Sequence, residues 1–403
     1  MKSTFTGIKS IEDFDLKDQR VFLRLDLNVP IKNGNITDTT RIDAALPTIK
    51  YALEHGAKLV VASHLGRPVS EADRAKYSME PVADKLGKLL NCEVILVEEP
   101  ESEAPKALLR GLKPKQFILL ENLRFNKDET ENGDSLTDAI CEYTDIYIND
   151  AFGASHRAHS SIVGVPTKVP RHGIGFLMKK EIEMLDKVMQ NPESPFAIIL
   201  GGAKVSDKMG VIENIIDRVD TILVGGAMAY TFLAAQEVPV GNSRVEKDRI
   251  KYAHDLLERM KMRGKRMFLP VDHCVVAKLE NTSEVTVTSD AAIGAGLLGV
   301  DIGPKTIELF RKEIMSAKTV FWNGPMGIFE TPAYAKGTFA IAKMLSELKD
   351  ATTIVGGGDS AAAIKASGFA DKVTHISTGG GASLEFLQGD KLPGVEALRD
   401  RKA

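Results

Sequence analysis

FAIILGGAKVSDK (residues 196–208) reads as a buried strand, a glycine turn and a segment that opens a helix. Its apolar residues do not alternate with polar ones, which suits a strand covered on both faces in a parallel sheet. Glycines let a backbone approach a phosphate closely, and the N–H groups that open a helix attract anions. Lys204 and Lys208, four apart, would share one helical face. Their mutual repulsion is unfavourable unless an anion lies between them. Taken alone, the pair also fits two solvated lysines behind a strand turn.

Similar apolar runs recur at 21–27, 58–63, 93–97, 116–120, 145–149, 221–225, 266–271, 319–323, 352–356 and 372–377. The first differs: Val21, Leu23, Leu25 and Leu27 alternate with Arg24, Asp26 and Asn28, so one polar face is expected. Helical patterns fill the gaps at 41–55, 80–90, 246–263, 305–316 and 334–349. Alternating strands and helices predict doubly wound, Rossmann-like α/β sheets. The 403 residues suit two domains. FLMKKEIEMLDKVMQ (176–190) has apolar positions at 178, 182, 185 and 189, and NPESP (191–195) cannot continue that helix. The expected organisation is a domain over 1–175, a linking helix and hinge over 176–194, a second domain over 195–385, and a tail over 386–403 that packs back toward the first domain.

The strand ends change character between the halves. The first half carries DLN (26–28), SHLGR (63–67), ENLRF (121–125) and NDAFGASHR (149–157). The second carries GGAK (201–204), GGA (225–227), NGP (323–325), GGGDS (356–360) and STGGGA (377–382). Open α/β sheets bind ligands outside the carboxyl ends of their strands. One half is thus expected to hold an anion with Arg41, Arg67, Arg124, Arg157, His64 and His156, because a guanidinium fork matches phosphate and carboxylate oxygens. Asp26 and Asn28 would bond a substrate hydroxyl or orient an arginine, or simply close a turn before Pro30. The other half offers bare backbone. In GGGDS, glycine N–H groups suit phosphate oxygens and Asp359 suits Mg²⁺, although Asp359 also fits a plain helix cap. Asp207 and Glu330 are the other acidic candidates, and Mg²⁺ commonly takes only one or two carboxylates. The division suits an enzyme with two phosphorylated substrates.

Several classes are excluded or disfavoured. No G-x-x-x-x-G-K-[ST] occurs. Gly294, Gly296 and Gly299 form a G-x-G-x-x-G, but it follows a short AAI run and leads into VDIGP rather than a helix, so it fails as a dinucleotide fingerprint and a nicotinamide dehydrogenase is set aside. A net charge of −3 argues against nucleic-acid binding through bulk positive charge. Cys92, Cys141 and Cys274 form no C-x-x-C, so a disulfide framework or zinc site is not expected and a reducing cytoplasm is. The N-terminus has no apolar signal-peptide core. The longest uncharged stretch, 221–236, is too short for a bilayer, which needs about 20 residues. Trp322, the single tryptophan, is expected in the core.

The chain resembles phosphoglycerate kinases along essentially its whole length, through RLDLNVP (24–30), TTRIDAALPTI (39–49), SHLGRP (63–68), LLENLRF (119–125), NDAFGASHRAHSS (149–161), GFLMKKEI (175–182), LGGAKVSDK (200–208), VGGAMAYTF (224–232), FWNGPMGIFE (321–330), GGGDS (356–360) and STGGGASLEFLQG (377–389). The resemblance implies reversible, Mg²⁺-dependent phosphoryl transfer between 1,3-bisphosphoglycerate and ADP, giving 3-phosphoglycerate and ATP, by a monomer whose two domains close. It implies a 3-phosphoglycerate site in the first domain, made of Asp26, Asn28, Arg41, His64, Arg67, Arg124 and Arg157. It implies a nucleotide site in the second, made of Gly202, Ala203, Lys204, Lys208, Gly225, Gly226, Asn323, Glu330, Gly357, Gly358, Asp359 and Ser360. Arg41, Lys204, Lys208 and the N–H groups of Gly379, Gly380 and Gly381 would attend the moving phosphoryl, Asp359 would bind Mg²⁺ and Asp207 is a second metal candidate. A non-catalytic nucleotide- or sugar-phosphate-binding protein would explain the glycines, but not Lys204, Lys208 and Asp359 beside an arginine cluster.

Overall fold

The computed structural model describes residue 4 and residues 6–399. They divide into two compact units, residues 1–183 with 391–403 and residues 184–390. The division falls inside the helix Phe176–Gln190. Among the described residues seventeen strands run in chain order as β1 (Arg20–Leu25), β2 (Ile31–Lys32), β3 (Asn35–Ile36), β4 (Lys58–Ala62), β5 (Glu93–Val97), β6 (Gln116–Leu120), β7 (Ile146–Asp150), β8 (His172–Ile174), β9 (Phe196–Leu200), β10 (Thr221–Val224), β11 (Arg266–Phe268), β12 (His273–Val276), β13 (Thr286–Val287), β14 (Leu298–Ile302), β15 (Thr319–Asn323), β16 (Thr352–Gly356) and β17 (His375–Ile376).

The first unit holds a six-stranded parallel sheet in the order β5-β6-β4-β1-β7-β8. β1 lies between β4 and β7, with Val21 opposite both Leu59 and Ile146. Its alternation does not mark a solvent face: Val21 to Leu25 are all buried, Arg24 included. A central strand is covered on both sides, so its polar residue must find buried partners. Asp150, at the end of β7, ties three elements together. It accepts the Thr48 hydroxyl at 2.6 Å and the Met178 N–H at 2.9 Å. Thr48 lies on the helix Thr40–Glu54, which starts beside Arg41, and Met178 lies in the first turn of Phe176–Gln190. Burial pushes the Asp150 carboxyl up to about 7 despite these donors. The short helix Pro393–Glu396 packs in the same unit, with Gly394 N–H donating to Ser155 O at 2.8 Å.

The second unit holds a parallel sheet in the order β11-β10-β9-β15-β16-β17, which is the 3-2-1-4-5-6 arrangement of a dinucleotide-type fold. Its strand order reverses between β9 and β15. Trp322 is buried on β15 and its indole N–H donates to Gly324 O at 2.8 Å. A smaller antiparallel sheet, β13-β12-β14, belongs to this unit and has no counterpart among the sequence expectations. Its strands are two to five residues long, too short to show a period. The helix expected over 246–263 starts at Ile250, because Glu246 is extended and its side chain is engaged elsewhere. The run 372–377 contributes only His375–Ile376 to the sheet, since Ala370–Lys372 forms a tight 3₁₀ turn.

Candidate active site

In the first unit the loops that follow β1, β4 and β6 are stitched together by their own hydrogen bonds. Asn122 accepts the Leu65 N–H at 3.1 Å, donates to Leu65 O at 2.7 Å and caps the turn that presents Arg124, accepting its N–H at 3.2 Å. Asn28 accepts the Gly66 N–H at 2.8 Å, and Arg124 donates to Gly66 O at 2.5 Å. Arg67 and Arg124 are thereby held on adjacent loops. With Arg157, Arg74 and Lys127 they line a cavity of about 680 Å³. Asp26 holds Arg41, each carboxylate oxygen lying 2.6 Å from its terminal nitrogen. Asp26 is thus an arginine-orienting group here, and Asn28 a loop-orienting one.

The electrostatics show how crowded the cations are. Burial first, and then the charges of Arg24, Arg124, Arg41 and Arg157, hold the His64 imidazole well below its ordinary range, so it is neutral at pH 7. Arg24 lies against its Nδ1 at 3.3 Å. Burial also lowers the Arg124 guanidinium to about 10, helped by Arg157 and Arg24 and opposed by Glu129. The Nε of Arg124 is buried without a hydrogen-bond partner among the described residues. Like charges packed this closely are relieved by an anion of several oxygens.

In the second unit a cavity of about 490 Å³ opens at the switch between β9 and β15. Ligands of open α/β sheets bind at such a crevice. Of the residues expected at a nucleotide site, Gly202, Ala203, Gly226, Glu330 and Asp359 line it. Gly226 has φ +65°, and a Cβ there would lie 2.5 Å from Gly202 N, so only glycine lets these two turns meet. Gly225 instead abuts the Met326 sulfur and supports the wall from behind. Lys208 is buried and donates to Asn323 Oδ1. Asn323 donates to Gly356 O at 2.8 Å, and Ser360 accepts the Gly324 N–H at 2.5 Å. The ends of β15 and β16 are therefore locked side by side.

Burial lowers the Lys208 pKa, while Asp207 and Asp359 both act to raise it. That places the two carboxylates and one ammonium in a common neighbourhood. Among the described residues no three acidic, histidine or cysteine side chains form a metal cage. Lys204 is exposed. Gly358 and Gly381 each stand at a helix start, with open space beside Gly358 and Gly380. Gly379 to Gly381 are not part of the cavity wall.

A match to the family model described as phosphoglycerate kinase covers residues 11–390. The chain belongs to the phosphoglycerate kinase family. It is 59% identical to the phosphoglycerate kinase of Bdellovibrio bacteriovorus, with all of both chains covered, and 49% identical to that of Clostridium tetani, with 98% of each covered. Among solved structures, phosphoglycerate kinase from Coxiella burnetii matches with a TM-score of 0.88 at 38% identity, covering 97% of this chain and 98% of that one. The Pyrococcus horikoshii phosphoglycerate kinase matches with a TM-score of 0.84 at 35% identity, covering 96% and 98%. Membership makes the chain a kinase of glycolysis that transfers phosphate with a carboxyl group as acceptor.

Against the phosphoglycerate kinase motifs, the structure adds residues that sequence reasoning missed. Tyr230, Asn242, Ser243 and Arg244 line the second unit's cavity, as do Leu298 to Val300 of β14. Gly299 comes from the glycine cluster that fails as a dinucleotide fingerprint. It serves packing: a Cβ there would lie 2.0 Å from the Tyr230 hydroxyl. In the first unit, Arg24 and Asn122 sit inside recognised motifs, but their roles depend on buried contacts that no spacing announces.

Proposed function

We propose that this chain transfers a phosphoryl group directly and in line between the acyl phosphate of 1,3-bisphosphoglycerate and MgADP, reversibly, giving 3-phosphoglycerate and ATP. The supporting observation is the pairing of two chemically distinct sites. One unit presents crowded guanidinium groups, and the other a glycine-walled cavity lined by Asp359, whose charge, with that of Asp207, acts on the buried Lys208. Arg67, Arg124 and Arg157 bind the glycerate phosphate and carboxylate in this reading. His64, as a neutral imidazole, bonds a substrate oxygen, and Asp26 aims Arg41.

The ADP terminal oxygen needs no general base, and the carboxylate leaves without an acid. No covalent enzyme intermediate is required. Catalysis reduces to alignment and to stabilising charge on three equatorial oxygens. Arg41, Lys204 and the N–H groups of Gly379 to Gly381 perform that task in this reading, while Lys208 holds a nucleotide phosphate. Glu330 bonds the ribose, and Gly357, Gly358 and Ser360 shape the phosphate side. Asp359, with Asp207 as a second candidate, would hold Mg²⁺, whose other ligands would be phosphate oxygens and water. The ion supplies neutralisation of the polyphosphate charge.

A coupled assay that follows ATP formation from 1,3-bisphosphoglycerate and ADP tests the reading, and absence of turnover by folded protein overturns it. Replacing Arg157 by alanine is expected mainly to raise KM for the glycerate substrate; an unchanged KM shows the site to be misassigned. Two substrates held on separate units must be brought together, so closure about residues 176–194 is part of the proposal. X-ray scattering is expected to show a more compact particle with both substrates than with neither, and identical profiles count against closure. The enzyme is read as a monomer of the cytoplasm without nucleic-acid or membrane partners. Among the described residues no helix is long and apolar enough to cross a membrane.

A further inference from the structure

The loop that carries Lys204, Asp207 and Lys208 is irregular. The chain leaves β9 at Leu200, and the next helix begins only at Met209. Within it, Lys208 N–H donates to Val205 O at 2.9 Å. The N–H groups of Val205 and Ser206 take their acceptor from far along the chain. One Glu246 oxygen accepts Val205 N–H at 2.5 Å and Ser206 N–H at 3.2 Å, and the other accepts the Ser206 hydroxyl at 2.6 Å. Glu246 is itself fixed, its own N–H donating at 3.1 Å to the hydroxyl of Thr231, a buried residue of the helix Met228–Ala235.

Three donors on one carboxylate form a charge-assisted set, roughly twice as strong as neutral hydrogen bonds. Burial pushes the Glu246 carboxyl up, but the Ser206 and Val205 donors and the Lys204 charge outweigh it and hold the group below its usual range. Glu246 also occupies two backbone N–H groups that could otherwise cradle an anion, which leaves that task to the loop's lysine side chains, of which Lys204 is the exposed one. Asn242, Ser243 and Arg244 line the nucleotide cavity, and Glu246 follows two residues later. One short strap therefore touches the cavity at one end and grips the lysine loop at the other.

We infer that Glu246 is a positioning residue, which sets the conformation of the Lys204 loop and makes it continuous with the wall of the nucleotide cavity. The inference rests on the reading of Lys204 as the group that meets the transferred phosphoryl. A misplacement of about 1 Å at such a site costs on the order of 10²-fold in rate. Lys208 depends less on this contact, because Asn323 anchors it separately.

Steady-state kinetics of the full chain test the inference. Glu246→Ala is expected to lower kcat roughly 10-fold or more, with both KM values little changed. Glu246→Asp keeps the charge and recovers part of the loss. The deciding measurement is made in a Lys204→Ala background. There Glu246→Ala should add no further loss, because no lysine remains to be placed, whereas general damage to the fold would lower both backgrounds by the same factor. Ser206→Ala removes only one donor and covers the case in which Glu246→Ala fails to fold. It should lower kcat less, and only when Lys204 is present. Equal losses in both backgrounds, or unchanged kcat on removing the carboxylate, overturn the inference. If Lys204→Ala is slow while the Glu246 and Ser206 variants behave normally, the inference alone falls. If Lys204→Ala turns over normally, the reading of Lys204 falls and takes this one with it.

Discussion

Lys204→Ala is expected to lower kcat roughly 10²-fold or more, as removal of a single electrostatic stabiliser does in other enzymes. The two lysines of the 196–208 stretch should behave differently. Lys208 is buried, donates to Asn323 and lies near Asp207 and Asp359, so it is a fixed part of the strand-end architecture. Lys204 is exposed, at a loop whose backbone is held by Glu246 rather than by its own side chain. Such a lysine is free to meet charge that exists only while the phosphoryl group is between donor and acceptor. An interaction made only at that point lowers kcat when it is lost and leaves KM largely alone. KM for 3-phosphoglycerate should therefore stay near its normal value, since the arginines of the first unit are untouched. KM for the nucleotide should rise little, because Lys208 and the glycine-walled cavity remain. Steady-state rates with each substrate varied in turn check this. Turnover close to normal removes Lys204 from the chemistry, and a large rise in nucleotide KM with unchanged kcat recasts it as a ground-state phosphate ligand.

What the sequence revealed, and what it hid, follows from the range of the interactions. Long Val/Ile/Leu runs such as 116–120, 196–200, 319–323 and 352–356 are strands with those bounds, because burial on both faces leaves a continuous apolar signature. The helix 176–190 shows its period because one face alone is apolar. The hairpin of β2 and β3 carries a local signal that periodicity overlooks: Asn33 and Gly34 both have positive φ, the two-residue turn that Asn-Gly favours. The wall of the second unit's cavity was less legible. Tyr230 sits in an apolar helix, and Arg244 in a loop of no distinctive composition; only the folding of β14 against them makes a pocket. Arg24 misled most. Alternation suggested a polar face, yet the residue is buried in the middle of the sheet, and its partners lie at positions 64, 129 and 161.

That buried arginine carries the second large expectation. Glu129→Ala should destabilise the first unit by about 3–5 kcal/mol, the usual cost of stranding one member of a buried ion pair. Neither Glu129 nor Arg24 is exposed, and their charged atoms lie 3.7 Å apart. Glu129 also accepts the Ser161 hydroxyl at 2.7 Å and its N–H at 3.0 Å, with His159 at 3.6 Å. Arg24 donates to Ser161 Oγ at 2.7 Å, to Leu25 O and toward His64. Burial raises the Glu129 pKa, but His159, Arg24 and Ser161 outweigh it and hold the carboxyl below the ordinary carboxylate range. A depressed folded pKa contributes stability above the unfolded value, near 4.3, and that contribution is lost as pH falls through the folded one. The gap between wild type and Glu129→Gln should therefore be full at pH 7 and shrink in strong acid. Denaturant unfolding across pH measures both, and a loss under about 1 kcal/mol at pH 7 means that the network is not held by this charge. Replacing both partners by apolar residues of similar volume tests why the pair is kept. Stability should largely return, as buried pairs are often no better than good packing, while KM for the glycerate substrate should rise because His64 has lost the guanidinium beside its Nδ1.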